Sequence, residues 1–352
     1  MVSDRWAEID LGAVTHNAGY LLSRLPARTK LIAVVKAGGY GLGAEPVARA
    51  ALDGGAWGLA VATPAEAAQL VRLLDPDRIL VMGGMNAAAA GLGCALAVSS
   101  LAQVEELART GHSVPVHLKI DTGMGRFGAL PEEAAGIASA IVSSARLRLT
   151  GTWTHLASAG EDEAFTRAQM KRFLAAIDGL GVDPGLRHAC NSAAALRHPE
   201  YALDAVRAGI ALYGCDWPEL RPVLTLRAAL THVKTVPAGW TVGYGATWQA
   251  ARESRIGTVA IGYADGVLRS RGNTGWTLVR GTRAPLIGRV SMDAISIDLT
   301  DVPDATVGEA VTLIGQDGDE RVTAEMVADW SGTISYEVLT ALGQRVERRY
   351  QE

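Results

Sequence analysis

A lysine closes an apolar run in Val34-Val35-Lys36-Ala37-Gly38-Gly39-Tyr40-Gly41-Leu42-Gly43. An amine removed from water loses proton affinity and becomes a nucleophile. The plain alternative is a lysine that snorkels from a strand end to solvent. The glycines that follow resemble a phosphate loop, although a Gly-rich run alone discriminates weakly. A second polar block reads Lys119-Ile120-Asp121-Thr122-Gly123-Met124-Gly125-Arg126. Arg126 could be aimed at an anionic group with Lys119 and Asp121 steering it; equally, Asp121 could cap a turn. His155 ends Trp153-Thr154-His155, where a single histidine is more often structural than catalytic. Ser192, Gly209 and Ile210 suit a phosphate held on small hydroxyls and backbone N–H groups. Against that, Asn191-Ser192 could merely cap a helix over 193–196. No Ser-His-Asp signature, His-x-x-x-His or Cys-x-x-Cys spacing is present, so no metal site is drawn.

These residues follow short apolar runs, and the runs alternate with helical periodicity. The runs are Leu31–Ala37, Trp57–Thr63, Arg78–Gly84, Ala95–Ser100, Val114–Thr122, Leu147–His155, Leu186–Ser192 and Ala205–Gly214. Thr63-Pro64-Ala65-Glu66 and Pro131-Glu132-Glu133 open helices, and residues 165–180 form another. Eight strand–helix alternations predict a (β/α)₈ barrel, with a doubly wound open sheet as the runner-up. Barrel enzymes carry their reactive groups at the C-terminal ends of the strands, where the polar residues above fall.

Beyond about Pro222 the runs Leu226–Val236, Arg255–Tyr263, Trp276–Arg280, Ala284–Asp298 and Ala310–Gly315 follow one another with little helix between them. Two amphipathic stretches, Thr323–Trp330 and Ser335–Val346, finish the chain. The fold class expected is therefore α/β plus β. Residues 1–10 form a strand joining the C-terminal domain, 11–225 the N-terminal TIM barrel, and 226–352 a mainly β domain.

The 352 residues are 49% hydrophobic and 20% charged with a net charge of −4. This excludes a disordered chain and gives no electrostatic case for nucleic acid or an anionic membrane. Three widely spaced cysteines and an N-terminus without an apolar signal core lead to the expectation of a reducing cytoplasm.

A strand-end lysine with a phosphate site beyond strands 7 and 8 suggests a barrel enzyme that uses pyridoxal 5′-phosphate (PLP). Four blocks in order carry a more specific likeness: Val35-Lys36-Ala37 with Tyr40-Gly41, Lys119 to Arg126, Gly262-Tyr263-Ala264-Asp265-Gly266, and Gly288-Arg289-Val290-Ser291-Met292-Asp293. With them the chain resembles the alanine racemase family, PLP enzymes of the barrel type, nearly end to end. The resemblance implies that Lys36 forms the Schiff base with PLP and is one catalytic base, with Tyr263 the other. It implies that Arg207 bonds the pyridine nitrogen and that His155 sits over the ring. Tyr40, Ser192, Gly209, Ile210 and Tyr336 would hold the phosphate, with Asn191 beside them. Arg126 would bond the phenolic oxygen, braced by Lys119, which is carbamylated in some relatives. Arg126, Met292 and Asp293 would serve the substrate carboxylate.

The resemblance also implies a homodimer with composite active sites, a small amino-acid substrate, and interconversion of L- and D-alanine that supplies the cell wall. Removing a proton from one face of a carbon and returning one to the other asks for two bases. A racemase of another amino acid, such as serine or lysine, is the nearest rival. A non-catalytic PLP carrier and a PLP decarboxylase of basic amino acids fit less well. The chain departs from the family's usual residues at Gly38, Leu42, Ala208, Val267-Leu268-Arg269 and Ala294, and none of these removes a proposed chemical group.

Overall fold

The computed structural model describes residues 4–83 and 87–352; residues 1–3 and 84–86, with Gly84 at the end of the third run, lie outside them. Strand β1 (Arg5–Asp10) opens the described chain. Eight parallel strands then close a barrel in sequence order: β2 (Lys30–Val34), β3 (Gly58–Val61), β4 (Ile79–Val81), β5 (Ala95–Val98), β6 (Val114–Lys119), β7 (Leu147–Trp153), β8 (Leu186–His188) and β9 (Ala205–Ala208). The pairing of β2 with β9 shuts the ring, Ile32 opposite Arg207. All residues of β3, β4 and β6 are buried. Such runs suit strands with side chains in the barrel on one face and helices on the other. The closed ring decides between the barrel and the open sheet in favour of the barrel.

The helix Pro64–Leu70 starts as its residues require. The Thr63 hydroxyl accepts from the Glu66 amide and the Glu66 carboxylate accepts from the Thr63 amide, with proline in the first turn. Pro131–Glu133 forms a 3₁₀ turn that leads into the helix Ala134–Ser143. The helix expected over 165–180 runs Glu163–Asp178, capped by Asp162.

The second domain is mainly β: β10 (Leu224–Val236), a small hairpin of β11 (Thr241–Val242) and β12 (Trp248–Gln249), then β13 (Ser254–Val259), β14 (Trp276–Val279), β15 (Thr282–Ile287), β16 (Ile295–Asp298), β17 (Ala310–Asp317), β18 (Glu320–Val322) and β19 (Glu347–Gln351). Its large sheet has the order β18-β17-β14-β15-β16-β13-β10-β1-β19, and a further β17–β10 pairing bends it back on itself. β1 pairs antiparallel with β10 and parallel with β19.

Two details differ from the sequence expectation. The single run over 284–298 is two strands, β15 and β16, separated by the loop that carries Met292 and Asp293. The stretch expected to be amphipathic to Val346 is helical only over Ser335–Thr340, and the chain ends in β19, sequence Glu-Arg-Arg-Tyr-Gln. That strand lies on the sheet edge, where exposed charge costs little and deters further pairing. No helix of the described residues is long and apolar enough to cross a membrane.

Candidate active site

At the C-terminal mouth of the barrel is a cavity of about 360 Å³, bordered by strand ends and the loops after them. That size suits a small ligand. Lys36 stands at its edge. The chain leaves β2 at Val34 and turns left-handed: Ala37, Gly38, Gly39 and Tyr40 have φ of 54°, 65°, 67° and 54°. L-residues enter this region reluctantly, whereas glycine does so freely. A side chain at Gly38 would meet nothing within 4 Å, so conformation rather than space sets the requirement there. Asn and Asp are the side chains that tolerate this region best after glycine. The turn places both Lys36 and Tyr40 on the cavity wall. Burial, then the Arg126 charge, lowers the proton affinity of the Lys36 amine, and Glu66 opposes this.

Tyr40 stacks on Tyr213, with ring centroids 4.5 Å apart, and tilts against Tyr336 at 6.0 Å. Neither the Tyr40 nor the Tyr336 hydroxyl bonds another described residue. Burial raises both phenols, Tyr336 to about 12, so they remain donors at neutral pH. Ser192 borders the same cavity. Its Oγ accepts from the Gly209 amide at 3.0 Å and the Ala211 amide at 3.3 Å, so its own proton is left to donate elsewhere. A side chain on Gly209 would stand 2.3 Å from the Tyr40 hydroxyl, so only glycine leaves this corner open. Ile210 completes the wall. Asn191 also borders the cavity, but its side chain caps the helix Ser192–Arg197 through the Ala194 amide and donates to the Leu156 carbonyl.

Arg207 is buried at the end of β9. Its Nη1 donates to His188 Nδ1 at 2.7 Å and to the His188 carbonyl. Its Nη2 donates to the carbonyls of Thr154 and Ala189. Of five N–H groups, that leaves Nε–H without an acceptor among the described residues. Burial draws Arg207 down to about 10, so it stays cationic at neutral pH. Because His188 Nδ1 accepts, its proton sits on Nε2, which faces His117 Nδ1 at 2.9 Å. Both imidazoles are neutral: burial and then the Arg207 charge hold His117 at about 3 and His188 well below its ordinary value. Burial and Arg207 likewise hold His155 at about 3.

Lys119 is only 3% exposed. Its Nζ lies 4.5 Å from the centre of the Trp153 ring and forms no ion pair with a described carboxylate. Asp121 is occupied by the amides of Gly123 and Met124, the turn cap its sequence allowed. Burial, then Arg126 and Arg207, lower Lys119 to about 8. Beside it, the Trp153 indole N–H is buried without a partner.

Tyr263, Met292 and Asp293 do not border this cavity. They lie together on the β domain, the loops joined by hydrogen bonds from the Tyr263 amide to the Ser291 carbonyl and from the Ala264 amide to the Met292 carbonyl. Asp265, fully buried, anchors this loop through Arg5 at 2.9 Å and Arg345 at 2.8 Å, and Arg345 also holds Asp293. The Tyr263 ring is 42% exposed and Met292 53% exposed. One chain therefore brings together eleven of the fourteen candidates and leaves the other three facing outward on its second domain.

The N-terminal and C-terminal domain models of alanine racemase match residues 9–216 and 223–350. The chain belongs to the alanine racemase family. It is 37% identical to the alanine racemase of Halothermothrix orenii, over 98% of this chain and 96% of that one. Among solved structures, the alanine racemase of E. faecalis superposes with a TM-score of 0.93 at 37% identity, covering 99% of this chain and 98% of that one. The alanine racemase of Bartonella henselae, solved with covalently bound pyridoxal phosphate, gives 0.90 at 30% identity with both chains fully covered. The resemblance, the barrel-plus-β architecture and the enzyme class expected from the sequence are borne out.

Within this racemase fold the sequence reading missed several residues. Val34, Ala62, Met82 and Phe127 border the cavity, and Trp153 carries Arg207 at 4.6 Å and Lys119 on its ring. His117 and His188 look like ordinary strand residues in the sequence. The signal available was polar residues inside runs otherwise wholly buried, since a buried polar group needs a partner.

Proposed function

We propose that the protein interconverts L- and D-alanine with PLP, using Lys36 and Tyr263 as its two bases. The observation that carries this reading is the cavity itself. A lysine of lowered proton affinity stands in one wall with an arginine whose one unpartnered donor is Nε–H, while the hydroxyls of Tyr40, Ser192 and Tyr336 and a gap at Gly209 form another. Lys36, Lys119, Arg126 and Arg207 together call for an anionic occupant. A phosphate ester with a carbonyl and a ring nitrogen fits that donor set. Tyr40, Ser192, Gly209, Ile210 and Tyr336 would hold its phosphate, with Asn191 supporting Ser192, and Arg207 would face its ring nitrogen. When bound, PLP supplies the means to stabilise negative charge on the substrate's α-carbon.

The remaining work belongs to the chain. Lys36 Nζ, neutral more readily than a free lysine, accepts or returns the α-proton on its side. Tyr263 Oη does so on the other. His155 is neutral and cannot compete as an acid at neutral pH. Arg207 donates a hydrogen bond but does not readily give up its proton, which keeps negative charge on the α-carbon short-lived and disfavours side reactions. Arg126, Met292 and Asp293 would meet the substrate carboxylate.

The exposure of Tyr263 and Met292, away from the cavity of their own chain, supports a homodimer in which each β domain completes the partner's barrel site. Lys119, buried among cations beside an unpartnered indole N–H, supports carbamylation. A neutral amine adds carbon dioxide and releases one proton, and the carbamate gives Arg126 an anionic partner. Three unpaired cysteines suit a reducing cytoplasm, and D-alanine would feed cell-wall synthesis. Incubating PLP-loaded protein with either alanine enantiomer and resolving the product by chiral chromatography tests the reading. Both directions should reach an equal mixture; no change in either direction refutes it.

A further inference from the structure

We propose that Glu66 is the positioning residue for Lys36, holding the left-handed turn that carries both Lys36 and Tyr40. This rests on the reading of Lys36 as a base. Glu66 belongs to the helix Pro64–Leu70, after the neighbouring strand β3, so two adjacent barrel strands meet through it. Its Oε1 accepts the Ala37 amide at 2.7 Å. Its Oε2 accepts the Ala62 amide at 2.7 Å and the Thr63 amide at 3.1 Å. The first bond is not part of any helix cap. It fixes the residue directly after Lys36, and that residue is an alanine held at φ 54°. A non-glycine residue stays in this region only where its surroundings over-determine it. The bonds Gly39 amide to Val35 carbonyl and Gly41 amide to Ala37 carbonyl then carry the turn on to Tyr40. Glu66 thus ties the amine and the Tyr40 hydroxyl to one carboxylate.

Its charge acts on the same amine. The groups that bear on Lys36 are Arg126 and Glu66, and Lys36 in turn bears on Lys119 and His155. Of these, Glu66 is the one anion, and it raises the amine's proton affinity against burial and Arg126. A capping-box acid with no further role would do neither.

Three variants of the holoenzyme separate the possibilities. Glu66→Gln keeps the size but turns one oxygen into an NH₂ that cannot accept, so either the Ala37 amide or the Ala62 and Thr63 amides lose their partner. Glu66→Asp keeps the charge but shortens the reach. Thr63→Ala removes the hydroxyl half of the capping box, the 3.3 Å bond to the Glu66 amide, and leaves the Ala37 bond. Solvent exchange of the α-deuterium is followed separately for each alanine enantiomer in all three. In Glu66→Gln, exchange on the Lys36 side should fall about tenfold or more while the Tyr263 side changes less than about threefold. With PLP removed, the pH profile of Lys36 acylation, read by peptide mass spectrometry, should move to lower pH in Glu66→Gln and stay in place in Glu66→Asp. Thr63→Ala should lower the melting temperature without altering either ratio. Parallel loss on both sides with an unmoved acylation profile overturns the inference and leaves Glu66 a helix cap. Should Glu66→Gln fail to fold, Glu66→Asp decides: it must skew the two exchange rates, and equal rates overturn the inference. Borohydride fixation of PLP on a lysine other than Lys36 in the unaltered protein would instead sink the proposed function.

Discussion

Lys36 borders the barrel cavity, whereas Tyr263 sits exposed on the β domain of the same chain. If both serve one reaction, the working site contains one residue from each subunit of a two-fold pair. Lys36→Ala damages the barrel half of a site and Tyr263→Phe the β-domain half. Each homodimer then has two damaged sites, and losing a base should lower the rate by about 10²–10⁴-fold. In a mixed dimer one site collects both lesions and the other collects neither. Random pairing of equal amounts makes half of the dimers mixed, and half of their sites are intact. Activity should return to about a quarter of the unaltered level in the mixture, and to about half in mixed dimers isolated through two different affinity tags. Folding should not confuse the result. The Tyr263 ring is partly exposed, so loss of its hydroxyl should change stability by less than about 0.5 kcal/mol. Alanine turnover is read by coupling D-alanine formation to a D-amino-acid oxidase. Mixed dimers that form, bind PLP and remain as inactive as the parents would refute the composite site.

Three further outcomes are expected. Borohydride should fix PLP to Lys36 as a secondary amine, located by peptide mapping; capture on Lys119 or no capture would contradict the cavity's assignment. Lys119 has its amine pulled to about 8, so it is neutral above that pH and open to carbon dioxide; ¹³C-bicarbonate should give a carbamate NMR signal that grows as pH rises through about 8 and is absent in Lys119→Ala. Burial and the Arg207 charge hold the buried imidazole of His117 and the half-buried one of His155 at about 3 in the folded protein, with His188 well below its ordinary value, against about 6.5 unfolded. The unfolded chain therefore binds more protons between those limits, and stability should fall as pH drops below about 6.5, by about 1.4 kcal/mol per pH unit for each imidazole. Urea midpoints at pH 7.5 and 5.5 check this, and identical midpoints would show that these rings are not held neutral.

The barrel strands were legible because most of them, β3, β4, β6 and β9 throughout, are buried on both faces, and such strands appear in sequence as short, largely apolar runs. The start of the helix at Pro64 was legible because its capping groups are adjacent in the chain. The final strand β19 was not. It has four polar or charged residues in five and exists as a strand because β1, from the other end of the chain, offers it a backbone edge. The same limit applies at the site. Ser192 and Asn191 are neighbours, yet one faces the cavity and accepts the amides of Gly209 and Ala211, while the other caps a helix. Sequence left both roles open for both residues.

By itself, then, the sequence determined the pattern of buried runs, the strand-end lysine, the glycines where the chain turns left-handed, and the ordered motif blocks that carry the family likeness. These are properties of single residues and near neighbours. Only the tertiary structure decided which donors remain unused. It held four of the five N–H groups of Arg207 on acceptors from several different residues, left the Ser192 proton free, set Lys119 among cations with no ion-paired carboxylate, and kept Tyr263 outside its own chain's cavity. The reason is physical. A hydrogen-bond donor or a charge takes its character from what stands within a few ångströms, and in a closed barrel those neighbours come from strands far apart in the chain.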